Sequence, residues 1–135
     1  MRGQLHHIEI YCSNLIKTRD FYSWLLNFLD YKIYQEWTEG FSFKLGETYI
    51  VFVQTEKRFL DVPYHRCRTG LNHLAFHASS KDDVDRLTDF LKQKHIKILY
   101  SDKHPHAGGN ETYSVFFEDP DRIKLEFTFT EKISI

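Results

Sequence analysis

Leu5-His6-His7-Ile8-Glu9-Ile10 returns as Leu71-Asn72-His73-Leu74-Ala75-Phe76, 66 residues later (71 − 5), with a histidine at the same place in each copy. The alternating, partly β-branched pattern reads as a strand in both places. The register persists beyond it: Tyr31-Lys32-Ile33-Tyr34 falls opposite Lys97-Ile98-Leu99-Tyr100 at the same shift. A duplicated unit that repeats a metal-ligand residue type suggests two equivalent walls around one centre.

Working outward, each copy gives the same order of elements. In the first, Ser13-Asn14 can cap a helix, and Phe21, Trp24, Leu25 and Phe28 then fall on one helical face. Strands are expected over 31–35, 41–45 and 48–54. In the second, Ser80 with Asp83 resembles a capping box, Val84, Leu87 and Leu91 mark the helix face, and strands are expected over 96–100, 113–118 and 123–129. The fold class predicted is α+β: two βαβββ modules forming a curved mixed sheet around a central trough, because one such unit cannot bury its sheet face alone. One domain over 1–135 is expected, with module 1 about 1–56, a charged linker about 57–69 and module 2 about 70–135. Lys57, Arg58, Arg66 and Arg68 read as a solvated connection.

Composition narrows the function classes. The chain has 135 residues, 16% aromatic, with a formal net charge of −1, which offers no electrostatic footprint for nucleic acid. No membrane span and no leader segment are expected. Two cysteines, Cys12 and Cys67, form neither a disulfide framework nor a zinc spacing, and point to a reducing cytoplasm.

Side chains at i and i+2 of a strand share a face, so Lys124, Glu126 and Thr128 lie together while Leu125, Phe127 and Phe129 lie opposite. Glu126 is a carboxylate in an otherwise apolar strand, and a cation or hydrogen-bond partner offsets the cost of burying it. Two imidazoles, His7 and His73, with Glu126 can bind a divalent metal and leave positions open for water or substrate. Matching Ser42-Phe43 to Ser114-Val115 gives a shift of 72 (114 − 42) and puts six extra residues in the 101–111 loop. Carried forward, that shift sets Gln54 opposite Glu126 (126 − 72 = 54), so Gln54 is the expected fourth donor, with Glu56 as its replacement if the strand bulges. His77 shares a face with His73. His104 and His106 flank Pro105 in what reads as a surface loop, with a substrate lid as the alternative, and Tyr113 reads as a core tyrosine.

The duplication, the His7 strand, Gly70-Leu71-Asn72-His73-Leu74-Ala75-Phe76 and Asp119-Pro120-Asp121-Arg122-Ile123-Lys124-Leu125-Glu126 together resemble the vicinal oxygen chelate superfamily. Its members include glyoxalase I, fosfomycin-resistance thiol transferases, extradiol dioxygenases, methylmalonyl-CoA epimerase and bleomycin-resistance proteins. Arg122 stands where the family usually has glycine. The resemblance implies a small-molecule substrate chelated through two vicinal oxygens to a divalent metal ion (Zn, Ni, Mn or Fe). It further implies lyase or isomerase chemistry of glyoxalase type, with Glu126 or a metal-bound hydroxide as the catalytic proton carrier, and a homodimer. Metal-free drug sequestration of bleomycin-resistance type and non-haem iron dioxygenation are the alternatives.

Overall fold

A computed structural model describes residues 1–131 of the chain. The chain divides into two compact units, the first covering Met1–Pro63 and the second beginning at Tyr64.

The first unit runs β1 (His7–Cys12), α1 (Leu15–Phe28), β2 (Lys32–Trp37), β3 (Gly40–Leu45) and β4 (Thr48–Gln54), with a short 3-10 turn at Lys57–Phe59. The second runs β5 (Leu74–His77), α2 (Lys81–Gln93), β6 (Ile98–Leu99), β7 (Thr112–Glu118) and β8 (Lys124–Thr130). Each unit forms one four-stranded mixed sheet, ordered β1-β4-β3-β2 and β5-β8-β7-β6. Only the first strand of each unit pairs in parallel, β1 with β4 and β5 with β8. The expected α+β class and the repeated strand, helix and three strands are thus what the chain forms.

Local chemistry explains the boundaries. Asn14 Oδ1 accepts from Lys17 N at 3.1 Å to start α1, and Ser80 Oγ accepts from Asp83 N at 3.1 Å to start α2. Asp83 answers by accepting from Ser79 N, one residue earlier than in a standard capping box. Both helices end in a Schellman motif without glycine. Asp30 and His95 take left-handed φ values of 68° and 57°, and Tyr31 N and Ile96 N reach back to Leu26 O and Leu91 O. In the β2–β3 turn Gly40 is obligatory, since a Cβ there would lie 2.5 Å from Phe52 O and 2.5 Å from the Trp37 ring.

One face of each sheet packs on its helix. In the first unit Phe41, Phe43, Ile50 and Phe52 meet Tyr22, Leu25 and Leu26, with the Tyr22 and Phe52 rings 4.1 Å apart. The buried stripe of α1 is Thr18, Phe21, Tyr22, Leu25 and Leu26. The expected Trp24 and Phe28 lie at its flank, half-buried. In the second unit Val84, Leu87 and Leu91 are fully buried, as are Val115 and Leu125, with Phe117 and Phe127 nearly so. Full burial of one such side chain stabilises by about 1.5–3 kcal/mol, so these two layers are what hold the units folded.

Two expectations change. β5 starts at Leu74 and β6 is confined to Ile98–Leu99, both shorter than their sequence patterns suggest. The segment 57–69 is divided rather than free: its later part is fastened to the second unit by Tyr64 Oη donating to Leu71 O at 2.5 Å and by Arg66 pairing with Glu118 at 3.2 Å.

Candidate functional site

Strand parity decides which side chains can meet. On β8, Leu125 and Phe127 face α2, so Lys124, Glu126 and Thr128 face away from it. Cross-strand partners share a face, which adds Phe116 (opposite Glu126) and Glu118 (opposite Lys124) from β7. Glu126 also pairs with Ala75 of β5, which sets His73 diagonally across from it. There His73 Nε2 lies 2.9 Å from Glu126 Oε1. The Glu126 side chain keeps only 11% of its exposure and the imidazole 31%, so the pair is largely removed from water.

The other imidazole nitrogen is held too, with His73 Nδ1 2.6 Å from Asn72 Oδ1. With Asn72 as acceptor, Nδ1 carries the hydrogen and Nε2 presents a lone pair, the tautomer in which histidine binds metal. A lone pair and a carboxylate oxygen 2.9 Å apart need a proton or a cation between them. Two donors bound to one ion at ~2.1 Å and a right angle stand ~3.0 Å apart, close to the distance here. In donor type, spacing and tautomer, His73 and Glu126 fit two neighbouring positions of a divalent metal. Among the described residues, no group of three or more His, Cys, Asp and Glu side chains is already gathered around a common point.

The outer oxygen of Glu126 is roofed by the 101–111 loop. A Cβ on Gly108 would lie 3.2 Å from Glu126 Oε2 and 3.0 Å from Thr112 Oγ1, so the loop backbone approaches the carboxylate closely enough that a larger side chain would press on both groups. The loop is tied down rather than loose. Ser114 N donates to Pro105 O at 2.8 Å, Gly109 N to His106 O at 3.0 Å, and His106 Nδ1 lies 3.0 Å from Thr112 O. Burial, aided by the Lys92 charge, holds His104 below the ordinary histidine pKa. The Glu126 carboxylate is bonded by His73 and not by either loop histidine.

In the first unit His7 is exposed on the face of β1 away from α1, stacked on Tyr49 at 4.7 Å, its Nδ1 2.8 Å from that of His6. Gln54 does not join it. Pairing sets His7 opposite Tyr49 and Cys12 opposite Gln54, so Gln54 lies five residues along β4 (54 − 49), roughly 17 Å away, and on the opposite face. Its amide is fully used: Oε1 accepts from Leu15 N at 2.9 Å, and Nε2 donates to Ser13 O at 2.9 Å and Thr55 O at 3.2 Å. Gln54 is therefore withdrawn from the donor set and becomes a support for the start of α1. The true counterpart of Glu126 follows from pairing. Ala75 opposes Glu126 and Glu9 opposes Val51, and 75 − 9 = 66, so the matching position is Val51, a shift of 75 (126 − 51) rather than 72.

Tyr113 belongs to the helix side, where its hydroxyl donates to Asp85 Oδ1 at 2.6 Å; that bond, with burial, raises its pKa to about 12. His77 shares the His73 face and is exposed. Sequence reasoning gave no role in the site to four neighbours: Asn72, Gly108, Lys124 and Tyr100. Lys124 was already visible at i−2 from Glu126.

Residues 4–127 match the Glyoxalase/Bleomycin resistance protein/Dioxygenase superfamily. The chain is 54% identical to the uncharacterized protein YqjT of Bacillus subtilis over 122 residues, 90% of this chain and 95% of that one. It is similar to the crystal structure of a candidate glyoxalase from Bacillus halodurans, at a TM-score of 0.93 and 54% identity, covering 95% and 96% of the two chains. Lactoylglutathione lyase from Agrobacterium tumefaciens shares the fold at a TM-score of 0.66 and 19% identity, covering 94% and 93%. With its two βαβββ units and the His73–Glu126 pair in the matched region, the chain belongs to the Glyoxalase/Bleomycin resistance protein/Dioxygenase superfamily.

Proposed function

We propose that this protein is a divalent-metal-dependent enzyme acting on a small molecule with vicinal oxygens, as a lyase or isomerase of glyoxalase type. The observation that carries the reading is the contact of His73 Nε2 with Glu126 Oε1 at 2.9 Å, backed by Asn72 on the other side of the imidazole. His73 and Glu126 would hold the ion. A divalent metal so bound supplies a Lewis acid that stabilises charge developing on a carbonyl or enediolate-type oxygen.

The chain's own groups supply the rest. Glu126 is the proton carrier: it is largely shielded from water, and the loop over Oε2 restricts how the carboxylate can turn. Phe116, whose ring centre is 5.8 Å from that of His73, gives the site an apolar wall. A cytoplasmic location agrees with neither Cys12 nor Cys67 forming a disulfide among the described residues. Among the described residues no helix is long and apolar enough to cross a membrane. A homodimer is part of the proposal, supported by Ile33, Tyr34 and Trp37 exposed along edge strand β2.

The test uses chelator-stripped full-length protein. Thermal stabilisation by Zn, Ni, Mn or Fe(II), and metal-dependent turnover of 2-oxoaldehyde hemithioacetals that Glu126→Gln abolishes, would bear out the proposal. Stabilisation only by flat aromatic compounds, with no response to metal, would replace it with a sequestering function.

A further inference from the structure

Beside the His73–Glu126 pair, on the same face of the second sheet, stands a cluster that the metal-centred reading leaves unused. Lys124 lies two residues before Glu126, roughly 7 Å along the strand. Its ammonium donates to Tyr100 Oη at 3.1 Å, and lies 5.3 Å from the centre of the Tyr100 ring and 5.9 Å from that of Phe116. Phe116 in turn touches Tyr100 edge-on at 5.5 Å and His73 at 5.8 Å. One aromatic ring therefore connects the lysine to the proposed centre.

The charge on Lys124 has no carboxylate partner among the described residues. Glu118, directly opposite on β7, would be the natural one. Both of its oxygens are already taken, Oε1 by Arg66 at 3.2 Å and Oε2 by Arg122 at 3.0 Å. Lys124 is half-buried, so its positive charge sits against apolar rings instead of projecting freely into water. Donating one hydrogen to Tyr100 leaves the ammonium with two more, and the tyrosine hydroxyl keeps its own hydrogen to donate. Three donors converging at one point suit an oxyanion. Tyr100 also has a φ of 54°, a left-handed backbone that is unfavourable for a bulky side chain and that clusters at functional sites.

We propose that Lys124 and Tyr100 form an oxyanion subsite beside the His73–Glu126 pair, so that the substrate carries a carboxylate or phosphoryl group on the Lys124 side of its reacting oxygens. This deepens the proposed function by naming the substrate class, and takes from it only that His73 and Glu126 mark the reacting end. The recognition is independent of metal.

The experiment is ¹H–¹⁵N NMR titration of chelator-treated full-length protein with methylphosphonate and, separately, acetate, followed by nickel(II) titration of the same samples. Shifts should centre on the amides of Tyr100, Phe116 and Lys124, and the stronger probe identifies phosphoryl or carboxylate as the natural group. Lys124→Gln should weaken binding by ~10-fold, about 1.4 kcal/mol, while Lys124→Arg keeps it. Tyr100→Phe should weaken it by a smaller factor. Circular dichroism of each variant confirms the fold. Probe binding that Lys124→Gln leaves unchanged, or shifts that fall elsewhere, overturn the subsite even when nickel binds. Probe binding at Lys124 with no nickel uptake keeps the subsite and removes the metal-dependent reading.

Discussion

Replacing Gln54 by alanine separates support of the fold from metal binding, because pairing gives this residue one role where the repeated sequence suggested another. The side chain links β4 to the entry of α1 by accepting from Leu15 N and donating to Ser13 O and Thr55 O. Leu15 N–H is one of the donors at a helix start that have no partner within the helix. Each bond contributes roughly 0.5–1.5 kcal/mol net, and water can reach part of this half-buried site. Gln54→Ala should therefore destabilise the first unit by roughly 2–3 kcal/mol. For a chain of this size that lowers the midpoint by about 6–12 °C. Both tryptophans, Trp24 and Trp37, lie in the first unit, so tryptophan fluorescence during thermal and urea unfolding reports on it directly. Metal affinity of the folded variant should stay within about twofold of the parent, less than 0.5 kcal/mol. An unchanged midpoint, or a loss of metal affinity as large as that of His73→Ala, would refute the assignment of Gln54 as a structural link.

Three other perturbations follow from the same geometry. Asn72→Ala removes the partner of His73 Nδ1 and should lower metal affinity roughly 10- to 100-fold, read by calorimetric titration, with far-ultraviolet dichroism unchanged. Gly108→Val drives a branched side chain toward Thr112 Oγ1 and Glu126 Oε2, already 3.0 and 3.2 Å from a bare Cβ; it should weaken metal binding by about tenfold, and Gly108→Ala by less. Ultraviolet difference titration of the parent against Tyr113→Phe should place the Tyr113 phenolate near pH 12, and Asp85→Asn should bring it back toward 10. Because the folded value lies above the unfolded one, the stability that this pair contributes is complete below pH 10 and disappears as pH rises toward 12.

The periodic features of the fold were legible in the sequence. The strand around His7 and its copy around His73, the Asn14 and Ser80 caps, and the stripe of Val84, Leu87 and Leu91 are local patterns that packing reinforces. Glu126 stood out because a carboxylate among Leu125, Phe127 and Phe129 needs a partner, and His73 is that partner. Register was not legible. Matching the letters of Ser42 to Ser114 gave an offset of 72, whereas hydrogen-bonded pairing sets Glu126 against Val51, and an error of three residues also reverses the face. Strand pairing depends on turn lengths and cross-strand neighbours, which a repeated dipeptide does not encode. Gly108 and Tyr100 were hidden for another reason: their roles arise from a close backbone approach and a left-handed φ, and neither leaves a periodic trace. Arg122 is a related case. It adopts a φ of 66° where the family usually has glycine, with its guanidinium fastened to Glu118 at 3.0 Å.

The central claim is that the imidazole of His73 and the carboxylate of Glu126 bind one divalent ion together. Calorimetric titration of chelator-stripped protein with nickel(II) measures this directly, comparing the parent chain with His73→Ala and Glu126→Gln. One equivalent should bind to the parent, with affinity falling at least ~100-fold, about 2.7 kcal/mol, in either variant. Equal binding by all three chains, or none by the parent, would contradict the account.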